Sequence, residues 1–219
     1  MKIDQAVILC GGFGTRLGKL TNVTPKPLIE IANHPFIELI IKNLSRYSVK
    51  EIYLLCSYKH SLFFKKYHKK KIGNSEIICI RETKPLGTFG GLNLIKKKIK
   101  NNFFFLNGDT FFEINYIDFA NLFSKFSNKK IGAIASVTRK GKRFNHIKIN
   151  KNLNLVYPFQ KSNLINAGTY IFSKKIFRYI KKGFNSLESN ILPILSKQKL
   201  LIGKEYKIKN SIFIDIGIP

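Results

Sequence analysis

Two short segments of this chain carry the residue types that handle phosphate. The first runs Leu9-Cys10-Gly11-Gly12-Phe13-Gly14-Thr15-Arg16-Leu17. Closely spaced glycines let a backbone approach a ligand, and their N–H groups can cradle phosphate oxygens. Thr15 adds a hydroxyl donor, and Arg16 adds a rigid fork of donors suited to a phosphate. Two familiar phosphate loops do not fit. A Walker A loop ends in Gly-Lys-Ser/Thr, whereas this chain has Gly18-Lys19-Leu20. The dinucleotide fingerprint G-x-G-x-x-G meets Gly12 and Gly14 but finds Leu17 at its third glycine. The second segment is Thr24-Pro25-Lys26-Pro27-Leu28, where two prolines stiffen the backbone on either side of a lysine and so aim it. Further on, Asp109 and Asp215 each follow an apolar run.

These groups need a scaffold to hold them. Residues 5–10 form an apolar run stopped by glycines, which reads as a buried strand of a parallel sheet. Pro35 opens a helical pattern over 35–47, with Phe36, Ile37, Ile40, Ile41 and Leu44 on one face. Strands follow at 51–56, 77–80 and 102–106. Helices are expected at 61–67, at 91–99 (Leu92, Ile95, Ile99) and around Ile117, Ala120, Phe123 and Phe126. Such alternation predicts an α/β fold. After residue 130 the pattern changes to strands at 131–137, 147–149, 153–159 and 165–172, with a hairpin turn over 151–154 and short helices at 174–180 and 187–196. The expectation is one domain over 1–219. Its mainly parallel, Rossmann-like mixed sheet is flanked by helices and carries a small β-rich subdomain. The first half (1–130) and the second half (131–219) would face different substrates.

Composition removes several classes. The chain has 219 residues, with 39 Lys+Arg against 12 Asp+Glu, hence a net charge of +27. At 44% hydrophobic it can bury a core despite that charge, roughly 70% of its unfolded surface at this length. No apolar run reaches the roughly 18 residues of a membrane span, and the first residues lack a signal-peptide pattern, so a cytoplasmic location is expected. The positive charge invites a nucleic-acid reading. However, the lysines are spread along the chain, and the cluster in 65–71 reads as a solvated helix end and loop. Cys10, Cys56 and Cys79 have no ligand spacing and read as buried free thiols. The four histidines are scattered.

G-G-x-G-T-R-L followed by P-K-P-L resembles the signature of the sugar-1-phosphate nucleotidyltransferases, the nucleotide-sugar pyrophosphorylases. Further matches follow in the family's order: Pro85-Leu86-Gly87-Thr88-Phe89-Gly90-Gly91, Asn107-Gly108-Asp109, Phe159-Gln160-Lys161, Asn166-Ala167-Gly168, Ser186-Leu187-Glu188 and Asp215-Ile216-Gly217-Ile218-Pro219. Phe89 stands where the family has a small residue, and Gln160 where it has glutamate.

The resemblance implies transfer of a nucleotidyl group from an NTP to a sugar 1-phosphate. Arg16, Lys26 and Asp109 would be the catalytic residues. Leu9, Gly11, Gly12, Gly14, Thr15, Glu82, Gly87 and Thr88 would bind the nucleotide. Asn107, Gly108, Lys161, Asn166, Gly168 and Glu188 would bind the sugar phosphate, and Asp109 and Asp215 would share Mg²⁺. Glu82, next to the segment that lies along the base in this family, favours guanine. A carboxylate accepts hydrogen bonds only, and guanine offers two adjacent donors where uracil and thymine offer one. GTP is therefore the expected nucleotide. The compact length resembles the heptose branch, with mannose 1-phosphate or another hexose 1-phosphate as the alternative sugar and a non-catalytic nucleotide-sugar sensor as a reading of another class. No specific nucleic acid and no membrane are expected as partners, and a homo-oligomer is compatible with the sequence.

Overall fold

A computed structural model describes residues 2–12, 24–139, 145–159, 162–207 and 212–216. In chain order the described strands are β1 (Gln5–Leu9), β2 (Glu30–Ile31), β3 (His34–Pro35), β4 (Glu51–Cys56), β5 (Lys70–Ile72), β6 (Ser75–Arg81), β7 (Phe103–Asn107), β8 (Thr110–Phe112), β9 (Gly132–Thr138), β10 (Lys148–Ile149), β11 (Leu155–Val156), β12 (Leu164–Phe172), β13 (Leu201–Glu205) and β14 (Phe213–Asp215). Eight of them form one sheet in the order β13-β9-β12-β7-β1-β4-β6-β5. The β7-β1-β4-β6 core is parallel. β12 runs antiparallel between β7 and β9, and β5 is antiparallel on the far edge. β8 pairs with β14, and β10 with β11, in separate ribbons.

The continuous apolar runs form this core because both faces of the sheet are covered. Alternation along each strand divides its side chains between two cores. Ala6, Ile8, Ile52, Leu54, Phe104 and Leu106 face one core. Val7, Tyr53, Leu55, Phe103 and Phe105 face the other. The helix Phe36–Arg46 covers the first face with the five apolar residues its spacing predicts, all buried. The second face is covered by segments from both halves of the sequence, among them Phe89, Leu92 and Ile95 and then Leu187, Ile191, Leu192 and Leu195.

Phe89, the bulky residue at a small-residue position, lies in this second core. Its ring makes edge contacts to Phe105 at 5.1 Å and Phe172 at 5.3 Å. Phe89→Ala is expected to cost about 3–5 kcal/mol of stability, the usual range for truncating a buried phenylalanine. Urea unfolding checks this, and a loss below roughly 1 kcal/mol would contradict the placement.

Several elements differ from the sequence expectation. The helix expected at 91–99 begins earlier, as a single turn over Gly87–Gly90 followed by a 3-10 turn over Gly91–Ile95. Adjacent glycines weaken a regular helix, yet Leu92, Ile95 and Ile99 are all buried. β5 lies inside the lysine cluster that reads as a loop. Lys65, Lys66, Lys69, Lys70 and Lys71 are exposed, and charge on a free sheet edge discourages pairing with another chain. β13 extends the sheet beyond the strands expected. The turn over 151–154 does join a hairpin, with Leu153 in the left-handed region at φ 58°. All three cysteines are buried free thiols. Among the described residues, no helix is long and apolar enough to cross a membrane.

Candidate active site

β1 and β7 are neighbours in the parallel sheet, so their carboxyl ends open onto the same crevice, where sheets of this kind bind ligands. The two ends approach closely. The Gly108 N–H donates to the Leu9 carbonyl at 3.0 Å, and a Cβ at Gly108 would sit 2.2 Å from that oxygen. Glycine is required here by the neighbouring backbone. The cleft is lined by Leu9, Gly12, Lys26, Thr88, Asn107, Gly108, Asp109 and Glu188, together with Cys10 and Pro27. Eight residues picked from motifs spread across the chain thus meet in one place.

Lys26 sits in a 3-10 turn, Lys26–Leu28, closed by a bond from the Leu28 N–H to the Pro25 carbonyl at 2.8 Å. The two prolines and this turn leave the lysine little freedom. It is 9% exposed, and its Nζ lies 4.0 Å from Asp109 Oδ2. Asp109 follows β7 directly. Its carbonyl accepts from the Ile216 N–H at 3.0 Å, and in the β8–β14 ribbon Asp215 pairs with Thr110. This ribbon brings an aspartate from the middle of the sequence and one from near its end side by side. Burial first, and the Asp215 charge second, hold the Asp109 carboxyl above its ordinary range, with Lys26 acting in the opposite sense. Two hard oxygen donors that repel each other suit a divalent cation. No cluster of three or more acidic, histidine or cysteine side chains forms a metal site among the described residues. Mg²⁺ commonly binds through one or two carboxylates, with its remaining oxygen ligands from other sources.

Glu82 follows β6 at the same end of the sheet. Its carboxylate lies in a slot between two glycine backbones. A Cβ on Gly91 would stand 2.0 Å from Oε1, and one on Gly11 3.5 Å from Oε2. The carboxylate has no hydrogen-bond or salt-bridge partner among the described residues, and burial pushes its pKa up from 4.5 to about 7. Gly87, at φ +75°, packs on the Asn185 carbonyl, and its Cβ would meet that oxygen at 2.4 Å.

On the other side, the Asn166-Ala167-Gly168 segment is a bulge in β12 where the register with β9 shifts. Asn166 Oδ1 accepts from the Gly168 N–H at 3.1 Å, and Asn166 Nδ2 donates to the Tyr170 hydroxyl at 2.8 Å. Gly168, at φ +69°, rests against the Asn107 side chain, with no room for a Cβ. Glu188 lies in the first turn after Ser186, whose hydroxyl caps the Ser189 N–H at 3.1 Å. Thr88 Oγ1 donates to Glu188 Oε2 at 2.9 Å and accepts from the Leu187 N–H at 2.8 Å.

Gly14, Thr15, Arg16 and Lys161, and Gln160 beside it, lie outside the described residues. Two residues that shape the site were not foreseen. Gly91 makes room for Glu82, and the buried Asn185 braces the segment around Gly87. A pair of adjacent glycines and the turn-forming run Gly183-Phe184-Asn185-Ser186 were the signals in the sequence.

A family model described as nucleotidyl transferase (NTP_transferase) matches residues 5–217. The chain is 34% identical over 222 residues to a D-glycero-alpha-D-manno-heptose 1-phosphate guanylyltransferase of Campylobacter jejuni, covering 98% of this chain and 95% of that relative. It is 29% identical over 226 residues to the mannose-1-phosphate guanylyltransferase catalytic subunit beta of Danio rerio, with 98% of this chain but only 61% of that longer relative covered. HddC from Yersinia pseudotuberculosis has a similar crystal structure, with a TM-score of 0.84 at 32% identity over 99% of this chain and 95% of that one. Its crystal structure complexed with GMP-PN gives a TM-score of 0.79 at 33% identity, with the same coverage.

Proposed function

Since the chain belongs to the nucleotidyl transferase family, we propose that it transfers guanylyl from GTP to D-glycero-α-D-manno-heptose 1-phosphate, releasing pyrophosphate. The observation that carries this reading is the single cleft that gathers Lys26, Asp109 and Glu188 at the ends of β1 and β7. The names of the Campylobacter relative and of the GMP-PN complex support the nucleotide and the sugar.

In this reaction a phosphate oxygen of the sugar attacks the α-phosphorus of GTP. A new oxygen–phosphorus bond forms as the bond to the bridging oxygen breaks, and pyrophosphate leaves with that electron pair. No covalent enzyme intermediate is needed, so positioning and charge neutralisation supply the catalysis. Lys26, already beside Asp109, stands against the α-phosphate. Arg16 and the loop amides of Gly11, Gly12, Gly14 and Thr15 hold the triphosphate and the departing pyrophosphate. Lys161 takes the sugar phosphate, and Asn166 and Glu188 take the sugar hydroxyls. Glu82 accepts the two adjacent donors of guanine, next to Gly87. Asp109 and Asp215 would hold Mg²⁺, which supplies charge neutralisation at the phosphates. The first half of the chain thus serves the nucleotide and the second half mainly the sugar, and the reaction belongs to the cytoplasm, where GTP is available.

A matrix of four NTPs against heptose, mannose and glucose 1-phosphates, read by pyrophosphate release, tests the reading. GTP with the heptose phosphate is expected to be the best pair. Release with none of the pairs would defeat the enzyme reading. Faster release with mannose 1-phosphate would favour the second reading, motivated by the mannose-1-phosphate guanylyltransferases among the relatives.

A further inference from the structure

Thr88 belongs by motif to the nucleotide segment, yet its hydroxyl is already engaged elsewhere. A threonine hydroxyl has one proton to donate. That proton goes to Glu188 Oε2, at 2.9 Å, while a lone pair on the same oxygen takes the Leu187 N–H at 2.8 Å. The hydroxyl therefore has no donor left for a nucleotide.

The backbone around Thr88 is pinned to the same loop. The Phe89 N–H donates to the Asn185 carbonyl at 2.9 Å, and the Asn185 N–H donates to the Leu86 carbonyl at 2.9 Å. Gly87 and Gly90 lie so close to the 183–185 backbone that a Cβ would come within 2.4 Å of Asn185 O and 2.5 Å of Gly183 O, respectively. Phe89 anchors the segment in the core. The Asn185 side chain closes its own turn through Lys181 and Gly183. Thr88 is thus a rigid post. It aims one carboxylate oxygen of Glu188, while the cleft remains open to the same residue.

We infer that Thr88 is a positioning residue for Glu188, and that it sets recognition of the sugar hydroxyls rather than of the nucleotide. The inference rests on the reading of Glu188 as a sugar-binding residue. A free glutamate samples several rotamers, and freezing it beforehand removes an entropic cost from binding. A carboxylate with one oxygen fixed presents its remaining lone pairs in a defined direction to vicinal hydroxyls.

Steady-state kinetics on the full chain, with D-glycero-α-D-manno-heptose 1-phosphate and with mannose 1-phosphate as probes, test this. Thr88→Val keeps the shape and removes the hydroxyl. It is expected to raise KM for the sugar phosphate roughly tenfold or more, the scale of one lost hydrogen bond to a charged group. KM for GTP should stay within about twofold, and kcat at saturation within about threefold, since neither depends on this bond. Thr88→Ser restores the hydroxyl and should return the sugar KM to within about threefold of the parent. A merely structural role would lower the active fraction, and so kcat, without this split. In a Glu188→Gln background, Thr88→Val should add little, because both changes act through the same group.

An equal rise in the KM for GTP, or an unchanged sugar KM in Thr88→Val, would overturn the inference. If Thr88→Val does not fold, the Thr88→Ser and Glu188→Gln variants carry the decision. A serine variant with the sugar KM of the glutamine variant would show that the hydroxyl does not position the carboxylate. An unchanged sugar KM in Glu188→Gln itself would remove the reading of Glu188, and the inference with it. A changed KM there beside an unchanged one in Thr88→Val would remove the inference alone.

Discussion

Asp109→Asn is expected to lower kcat for pyrophosphate release by roughly a hundred- to a thousandfold, the range seen when one electrostatic stabiliser of a transition state is removed. Asp215→Asn should follow, because the β8–β14 ribbon places the two residues together. A stability measurement separates this loss from misfolding, because the raised carboxyl predicts that stability moves the other way. The Asp109 carboxyl is held above its ordinary range chiefly by burial and then by the Asp215 charge. Its folded pKa exceeds its unfolded one. The protein without metal therefore loses stability as pH rises through that raised value. Replacing the carboxylate with a neutral amide removes this strain. A melting temperature, taken in chelator at pH 8, is expected to be unchanged or higher in Asp109→Asn. Activity that survives in both asparagine variants, with an unchanged Mg²⁺ requirement, would refute the assignment.

The second large effect concerns Glu82 and is one of pH. Two neighbouring donors of guanine need a carboxylate and not a carboxylic acid, so the ionised form binds. With the pKa of Glu82 near 7, GTP affinity is expected to climb between about pH 6 and pH 8 and then level off. The stability of the unliganded protein has the opposite slope. The folded state binds the extra proton between pH 4.5 and about 7, so stability falls across that window as pH rises. Glu82→Gln should flatten both curves. It should also weaken GTP by about ten- to a hundredfold, the scale of charge-assisted hydrogen bonds lost to the base, while UTP and CTP change little. Isothermal titration of GTP at pH 6 and pH 8 checks the first sign and urea unfolding at pH 5 and pH 7 the second, each in the parent and the variant. GTP affinity in the parent that is independent of pH, or a variant that weakens all nucleotides alike, would count against guanine reading by Glu82.

Much of the parallel core was legible because a strand buried on both faces reads as an unbroken apolar run. Residues 5–10 and 51–56 needed nothing more. Helix Phe36–Arg46 was equally plain, since its five buried side chains follow helical spacing. Short ribbons were harder. β8 and β14 have three residues each and exist by pairing with each other, so neither stretch carries a signal alone. In the segment after Pro85 the helical spacing of Leu92, Ile95 and Ile99 predicts a helix from 91, which the structure does not form as one regular element. Its backbone is instead set by Gly87 in the left-handed region and by contacts with a loop far along the chain. The site shows the same division. Lys26 and Asp109 were visible through local chemistry, a lysine between prolines and an aspartate at a strand end. The reasons for Gly91 and Gly168 were not, because the atoms their Cβ would strike, in Glu82 and Asn107, are distant in sequence. Phe89 departs from the family's small residue because its ring fills the second core, against Phe105 and Phe172.

The position of β12 has a consequence for how this chain acquires its structure. β7 comes from the first half of the sequence, but its second neighbour in the sheet is β12, from the second half, and β9 docks on the outer side of β12. A chain stopped after β9 would leave β7 without that neighbour and β9 detached from the sheet. The pairing that closes the central sheet is therefore non-local, and such topologies fold slowly because loop closure must precede the stabilising contact. The same continuity leaves no hinge across the middle of the sheet.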